Sequence, residues 1–206
     1  MTTQSATSIR QQYKDMTRER ILDAAIDLMA EAGMAPLTVA DVASRAGVTT
    51  RTIYRHFETR EGLIEAVWPR MQSRVRSRGF PRTADALIAT PAYLFPQFDE
   101  HANLVRASAF SDAGLEVRLR ANEERTAAAQ ACVTDALPGL PADVARRRAA
   151  VVQLLDSAYC WAVLRDFWGF DGVEAGRAAS EAIAILLGRA ALDGAALHTE
   201  PQGEQP

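Results

Sequence analysis

The sequence predicts an all-α protein: a small three-helix N-terminal head, joined by a linking helix to a larger helical body. Three observations predict it. Apolar residues recur at helical spacing along almost the whole chain. No sustained period-two alternation appears, and no hairpin-turn signal lies between strand-like runs. A break at Ser77 to Arg82, containing Gly79 and Pro81, separates a basic segment from an acidic one. Four regions follow: an N-terminal arm over 1–16, flexible or basic; a head with its linking helix over 17–78; a body over 79–197; and a disordered tail over 198–206.

In chain order, the first helix is expected from Thr17 to Ala32. Ile21, Ala25 and Leu28 form one apolar row and Leu22, Ile26 and Met29 the next, with Thr17 as N-cap and Gly33 as the stop. A second helix starts at Thr38, buries Val39, Val42 and Ala43, and stops at Gly47. A third, short helix runs from Thr50 to Phe57 and buries Ile53 and Phe57. A fourth starts near Thr59 and carries Leu63, Ile64, Val67, Trp68 and Met71, with Pro69 in its path. In the body, helices are expected over Thr83 to Ala89, Ala92 to Phe98, His101 to Phe110, Leu115 to Leu137, Ala142 to Trp168 and Val173 to Leu192. Turns are expected at Pro138 to Pro141 and Gly169 to Gly172.

Composition narrows the function classes. The chain has 206 residues, 48% of them hydrophobic, enough for one sizeable core or for a small head and a larger body. No stretch approaches the roughly 18 to 20 uncharged apolar residues of a membrane span. Met1 to Ile9 lacks an apolar signal core, so a cytoplasmic protein without membrane contact is expected. Cys132 and Cys160 sit within apolar helical patterns and read as reduced, buried thiols, with redox sensing as the alternative. His56, His101 and His198 show no ligand spacing, so no metal and no cofactor is expected. An enzyme would need a nucleophile with its base, a metal set or a phosphate loop, and none is visible.

The net charge of −3 is unevenly spread. Residues 1–78 hold 12 Lys and Arg against 9 Asp and Glu, whereas residues 79–206 hold 11 against 17. A basic head on an acidic body suits local binding of phosphates, because screening confines each charge's reach to about a Debye length.

The head supplies the rest of a helix-turn-helix. A reading helix has to be held across a packed partner by a tight turn, with apolar residues inside and polar ones outside. Over Thr38 to Phe57 the inside set is Val39, Val42, Ala43, Val48, Ile53 and Phe57, and Gly47 makes the turn. Thr49, Thr50, Arg51, Thr52, Tyr54, Arg55 and His56 are left outside. That face holds no carboxylate, whereas ordinary solvated helix faces mix acids with bases. Its guanidiniums, hydroxyls and imidazole suit phosphates and base edges of double-stranded DNA.

The run Arg20-Ile21-Leu22-Asp23-Ala24-Ala25, then Gly33, Leu37-Thr38-Val39, Ala46-Gly47-Val48 and Ile53-Tyr54-x-His56-Phe57-x-x-Arg60-Glu61-x-Leu63 resembles the N-terminal domain of the tetracycline-repressor (TetR) family. The likeness covers about Thr17 to Val67 without a gap; beyond it the agreement is one of style alone. It implies that Thr38 caps its helix and touches a phosphate. It places Thr49, Thr50, Arg51, Thr52 and Arg55 in the major groove, and Tyr54 and His56 on phosphates. Arg60 stands where the family usually has Lys, and Arg18 and Arg20 are within reach of phosphates or the minor groove. Arg51 is the leading candidate for base reading, since bidentate Arg to guanine is the commonest specific contact. Arg10 and Lys14 make the N-terminal arm a candidate strap along the DNA.

In the body, the segment Ala142 to Trp168 is apolar on two faces: Val151, Leu154, Leu155, Ala158 and Ala162 on one, Val152, Tyr159, Val163 and Phe167 on the other. Val173 to Leu192 is rich in alanine. Helices apolar on two sides need cover on both, and the resemblance implies a homodimer through 142–168 and 173–192. A dimer on a near-palindromic operator would place two reading helices about 34 Å apart. The resemblance also implies a small-molecule effector in the body. Its aromatic candidates are Tyr93, Phe95, Phe98, Phe110, Tyr159 and Trp161, and its polar candidates are Asn103, Arg106, Gln130 and Asp156. With no strong charge cluster among them, an apolar or aromatic ligand is expected. Pro69, in the helix that joins head to body, is either a bend around the core or part of the coupling. Arg146, Arg147 and Arg148 read as a solvated first turn, with Arg147 paired to Asp143. The chain is thus expected to be a ligand-responsive transcriptional regulator, a repressor. The alternatives are a regulator sensing redox through cysteine and a helical interaction protein that no longer binds DNA.

Overall fold

A computed structural model describes residues 9–31 and 37–189. Among them lie eleven helices and no strand: α1 (Ile9–Glu31), α2 (Val39–Ala46), α3 (Thr50–Phe57), α4 (Arg60–Arg74), α5 (Ala84–Glu100), α6 (Ala102–Phe110), α7 (Asp112–Arg120), α8 (Asn122–Ala136), α9 (Ala142–Leu155), α10 (Ala158–Trp168) and α11 (Gly172–Leu186). The all-α expectation is met. The expected stop at Gly33, the first eight residues of the arm and the tail over 198–206 lie outside the described residues.

The helices form two compact units. The first takes the described residues up to Arg74 together with Asn103–Ala121; the second takes Val75–Ala102 and the described residues from Asn122 onward.

The first unit is built on α1. Ile21, Leu22, Ala25, Ile26 and Met29 are buried there, and Val42, Ile53, Leu63, Ile64 and Val67 of α2, α3 and α4 are buried in the same core. Polar clamps fix α4 on α1: Arg70 donates twice to the Asp23 carboxylate, at 2.8 Å each, and Arg74 donates to Asp27 at 2.9 Å. The Arg70 hydrogen bonds hold the Asp23 carboxyl below its ordinary range. The first helix starts eight residues before the expected Thr17. Thr17 is no N-cap: its hydroxyl donates back to the Tyr13 carbonyl at 2.8 Å, inside α1. Residues 9–16, read as a separate arm, are the first turns of that helix.

The second unit centres on α5 and α11, which run antiparallel at close range. A Cβ added to Gly172 would lie 2.5 Å from the Phe95 carbonyl oxygen, and one added to Gly176 would lie 2.6 Å from that of Pro91. Leu87, Ile88, Cys132, Val133, Val152, Ile183 and Leu187 fill the core between α5, α8, α9 and α11. The obstacle at Gly176 is backbone, which no rotamer relieves. A Gly176→Ala variant is therefore expected to lose about 2 to 3 kcal/mol in urea unfolding, despite alanine's better helix propensity.

Several boundaries differ from expectation, each for a local reason. The segments 83–89 and 92–98 are one helix, α5, which continues through Pro91 and Pro96. The segment 115–137 is two helices, interrupted at Ala121. The segment 142–168 is also two. Asp156 leaves the helical conformation, and the Ser157 hydroxyl caps α10 by accepting from the Cys160 amide at 3.4 Å. The last helix, expected to Leu192, stops at Leu186, with Gly188 left-handed just beyond (φ 69°). Arg147 does pair with Asp143, at 2.9 Å.

Candidate nucleic-acid interface

Local chemistry builds the helix-turn-helix. Thr38 caps α2, its Oγ1 accepting from the Asp41 amide at 3.1 Å. Gly47 ends α2 in the left-handed region (φ 62°), where its amide returns to the Ala43 and Ser44 carbonyls. Two residues on, Thr49 caps α3 by accepting from the Thr52 amide at 3.2 Å, with the two threonine hydroxyls 3.0 Å apart. The inside set holds as expected for Val42, Ala43, Ile53 and Phe57, which are buried; Val39 and Val48 are half-buried.

The outer face of α3 is as polar as its sequence requires. Thr49, Thr50, Arg51, Tyr54 and Arg55 are exposed, and Thr52 is half-buried. Four other arginines of this unit are held by acids: Arg45 by Glu31, Arg60 by Glu116, and Arg70 and Arg74 by the aspartates of α1. Arg51 and Arg55 have no carboxylate partner among the described residues. Arg51 and Arg55 thus put positive charge on the outer face of α3 that no carboxylate among the described residues neutralises. Arg18 stacks its guanidinium 5.0 Å from the centre of the Phe57 ring, and Arg20 is exposed on α1.

Two candidates sit differently from their neighbours. The Arg60 guanidinium donates to both Glu116 oxygens, at 2.6 and 2.8 Å, and to the Leu37 carbonyl at 3.2 Å. It ties α4 to α7 and to the chain entering α2, a bracing position behind the reading surface. Glu116, 56 residues away in sequence, carried no signal that would have named it. His56 is half-buried, and its Nδ1 is shut off from water with no hydrogen-bond partner. Burial, then the positive charges of Arg55, Lys14 and Arg18, pushes its pKa down.

The expected effector residues fall in both units. Asn103, Arg106 and Phe110 belong to the first, where Asn103 and Phe110 are exposed. In the second, Phe95 and Trp161 are completely buried, and Phe98 stacks on Phe95 and meets Trp161 edge-on, with centroids 5.6 and 5.8 Å apart. Tyr93 donates its hydroxyl to the Arg76 carbonyl at 2.9 Å; Gln130 and Tyr159 are exposed. Asp156 stands at the break between α9 and α10, its Oδ1 buried without a partner, and burial pushes its carboxyl up to about 8. Burial likewise pushes the Cys132 and Cys160 thiols to about 11, the reverse of what an activated thiol requires. Sequence reasoning missed Asp99, which accepts from the Trp161 indole at 2.9 Å, from Arg165 and from the Gly172 amide at 2.7 Å.

No helix among the described residues is long and apolar enough to cross a membrane. An all-helical chain whose first unit packs a capped, glycine-turned helix pair beneath a carboxylate-free face has the build of a helix-turn-helix protein. Residues 21–67 match the family model of bacterial regulatory proteins, tetR family. The chain is 41% identical over 51 residues to the uncharacterized HTH-type transcriptional regulator YvkB of Bacillus subtilis (strain 168), a stretch covering 25% of this chain and 27% of that one. It is 39% identical over 59 residues to the HTH-type transcriptional regulator BetI of Klebsiella pneumoniae (strain 342), covering 29% and 30%. The match thus spans less than a third of the length of these curated relatives. At the level of fold, the chain is similar to NalD, the secondary repressor of the MexAB-OprM multidrug efflux pump in Pseudomonas aeruginosa (TM-score 0.59, 18% identity, 83% of this chain and 95% of that one). It is also similar to a transcriptional regulator from Rhodococcus sp. Rha1 (TM-score 0.52, 20% identity, 85% and 98%). These relatives are regulators, not enzymes.

Proposed function

We propose that this chain is a DNA-binding transcriptional repressor that acts as a homodimer on a near-palindromic operator and is released by a small effector. The observation that carries the reading is the outer face of α3, where Arg51 and Arg55 project without carboxylate partners from a helix held rigidly by the Thr49 cap and the Gly47 turn. Thr49, Thr50, Arg51, Thr52 and Arg55 face the major groove, Arg51 reading a base. Thr38, Tyr54 and His56, with Arg18 and Arg20, take backbone phosphates. Arg60 acts indirectly, by holding α4 and α7 in place.

A dimer is supported by the apolar side chains that α9, α10 and α11 leave outside: Val151, Leu154, Val163, Phe167, Trp168 and Ile185 are all exposed, Phe167 at 82%. A soluble monomer rarely leaves so much apolar surface uncovered. The effector belongs to the body. Asp156 Oδ1, buried without a partner as are Gln97 Oε1 and Ser180 Oγ of the same unit, is one polar group there that a ligand donor would satisfy. An effector releases DNA only to the extent that it binds the DNA-free form more tightly.

The test uses a duplex selected by the protein from a randomised pool and a random-sequence duplex of equal length. Arg51→Ala is expected to lose about 1 to 3 kcal/mol on the selected duplex and much less on the random one. An equal loss on both would make Arg51 a phosphate contact and remove it from base reading.

A further inference from the structure

The chain passes between the two units three times: at Arg74–Val75, at Ala102–Asn103 and at Ala121–Asn122. After the first passage, residues 75–82 connect α4 to α5, and no helix or strand covers them. Side chains of the second unit fasten this connector instead. The Tyr93 hydroxyl on α5 donates to the Arg76 carbonyl at 2.9 Å, and the Arg78 guanidinium lies 3.9 Å from the centre of the Tyr93 ring. From α8, the Cys132 thiol donates to the Pro81 carbonyl at 3.1 Å. Other fastenings reach the remaining passages. Arg76, just past the first, pairs at 2.9 Å with Glu100, just before the second. Arg82 and Phe80 meet Glu124 and Arg125, just past the third, at 3.8 and 5.5 Å. The connector thus ties all three passages to one another on the side of the second unit. Its path is bent as well as tied: Arg76 (φ 51°) and Gly79 (φ 83°) are both at positive φ. A residue with a side chain enters that region only at a cost, so Arg76 stays there because its surroundings hold it. The fastenings differ in weight. The Arg76–Glu100 and Arg82–Glu124 pairs are exposed, and exposed ion pairs contribute little. Tyr93 is half-buried and holds the connector twice, by a hydrogen bond to a backbone carbonyl and by its ring face under a guanidinium.

We propose that this connector fixes the direction in which α4 leaves the second unit, with Tyr93 and Arg78 as its positioning residues, and that it thereby sets the half-site spacing the protein accepts. The inference rests on the dimeric DNA-binding reading and adds to it a determinant of operator geometry that lies outside the head. A head on a loose connector samples many placements, and only the fraction that fits both major grooves at once binds the paired half-sites. A head that meets one half-site alone is indifferent to that placement. Untying the connector therefore lowers affinity for the paired site, flattens its dependence on spacing, and leaves the affinity for a single half-site unchanged.

The experiment measures the affinity of the full-length wild type, Tyr93→Phe, Tyr93→Ala, Arg78→Ala and Arg78→Lys at fixed salt. The probes are the selected duplex, one half-site of it, and duplexes whose half-sites are moved apart by one, two or three base pairs. Each inserted base pair shifts one half-site by about 3.4 Å and turns it by about 35°. Wild-type affinity is expected to fall by at least about tenfold at two inserted base pairs. Tyr93→Ala and Arg78→Ala should weaken the selected duplex by about three- to tenfold and reduce the spacing penalty by a similar factor. Tyr93→Phe keeps the ring under Arg78 and should fall between them and the wild type. Arg78→Lys keeps a cation over the ring and should restore most of the loss. Half-site affinity should be the same for all five proteins, which also shows that their heads are folded. Arg78 is exposed, so its replacement leaves the core intact and carries the test if Tyr93→Ala does not fold. Variants with the wild-type spacing profile would overturn the proposal and leave the dimer reading in place. So would an equal loss on the half-site and the paired site, because the residues would then act on the head itself rather than on its placement. A wild type indifferent to spacing, or one that binds no DNA, would remove the dimeric regulator reading and this inference with it.

Discussion

An Asp99→Ala variant is expected to unfold about 2 to 4 kcal/mol more easily than the wild type in urea, with the loss centred on the second unit. One carboxylate there serves three elements. Oδ1 accepts from the Trp161 indole on α10 at 2.9 Å and from Arg165, and Oδ2 accepts from the Gly172 amide in the first turn of α11 at 2.7 Å. Removing it deprives a fully buried indole of this acceptor, leaves the Arg165 guanidinium without its ion pair, and takes a negative charge from the start of a helix, where it is favourable. Asp99→Asn retains the shape and one acceptor and should lose roughly half as much. Following the Trp161 indole N–H by NMR during unfolding reports on this unit separately from the first. A loss under about 0.5 kcal/mol would show that Asp99 is a solvated surface acid.

Asp156→Asn should act in the opposite direction and depend on pH. Burial holds the Asp156 carboxyl at about 8, against 3.8 for the same group in water. The folded state therefore keeps its proton where the unfolded chain has released it. The stability linked to this proton is complete below about pH 4 and is lost progressively as pH rises to about 8. Asparagine has the shape of the protonated acid and never ionises. The variant is expected to match the wild type near pH 4 and to exceed it by about 2 to 5 kcal/mol at pH 8. The difference between the two proteins isolates Asp156 from groups with the reverse dependence, such as Asp23, whose lowered pKa favours folding above the ordinary carboxylate range. Equal stability of the two at pH 8 would mean that the carboxylate is paired or hydrated.

The elements readable from sequence were those made by neighbours in sequence. Thr38, Gly47 and Thr49 act on amides and carbonyls within a few residues of themselves, so the helix-turn-helix and its outward face follow from local rules. Contacts across long separations left no such trace. Arg60 looks like a free cation until Glu116 is placed beside it, and Asp99 is one more surface-like acid until Trp161 and Gly172 close on it. The proline rule failed at Pro91 and Pro96 because it weighs one lost hydrogen bond and one clash, whereas α5 gains a long seam with α11 that only Gly172 and Gly176 permit. Periodicity failed at Asp156 and Ser157 in the other direction. Apolar spacing runs unbroken through both helices, and a single hydroxyl cap is enough to interrupt them. The early start of α1 was missed because Tyr13, Lys14 and Met16 are exposed and show no apolar stripe, so nothing in their pattern separated a solvated helix from an arm.

Sedimentation of the wild-type protein with its selected duplex, combined with footprinting, tests the central claim most directly. The expected result is two chains per duplex protecting two related half-sites whose centres lie about one helical turn, or ~34 Å, apart. Arg51→Ala should dissociate from that duplex first. A single chain per duplex without repeated half-sites, or no sequence enriched from the pool, would contradict a dimeric repressor that reads DNA through α3.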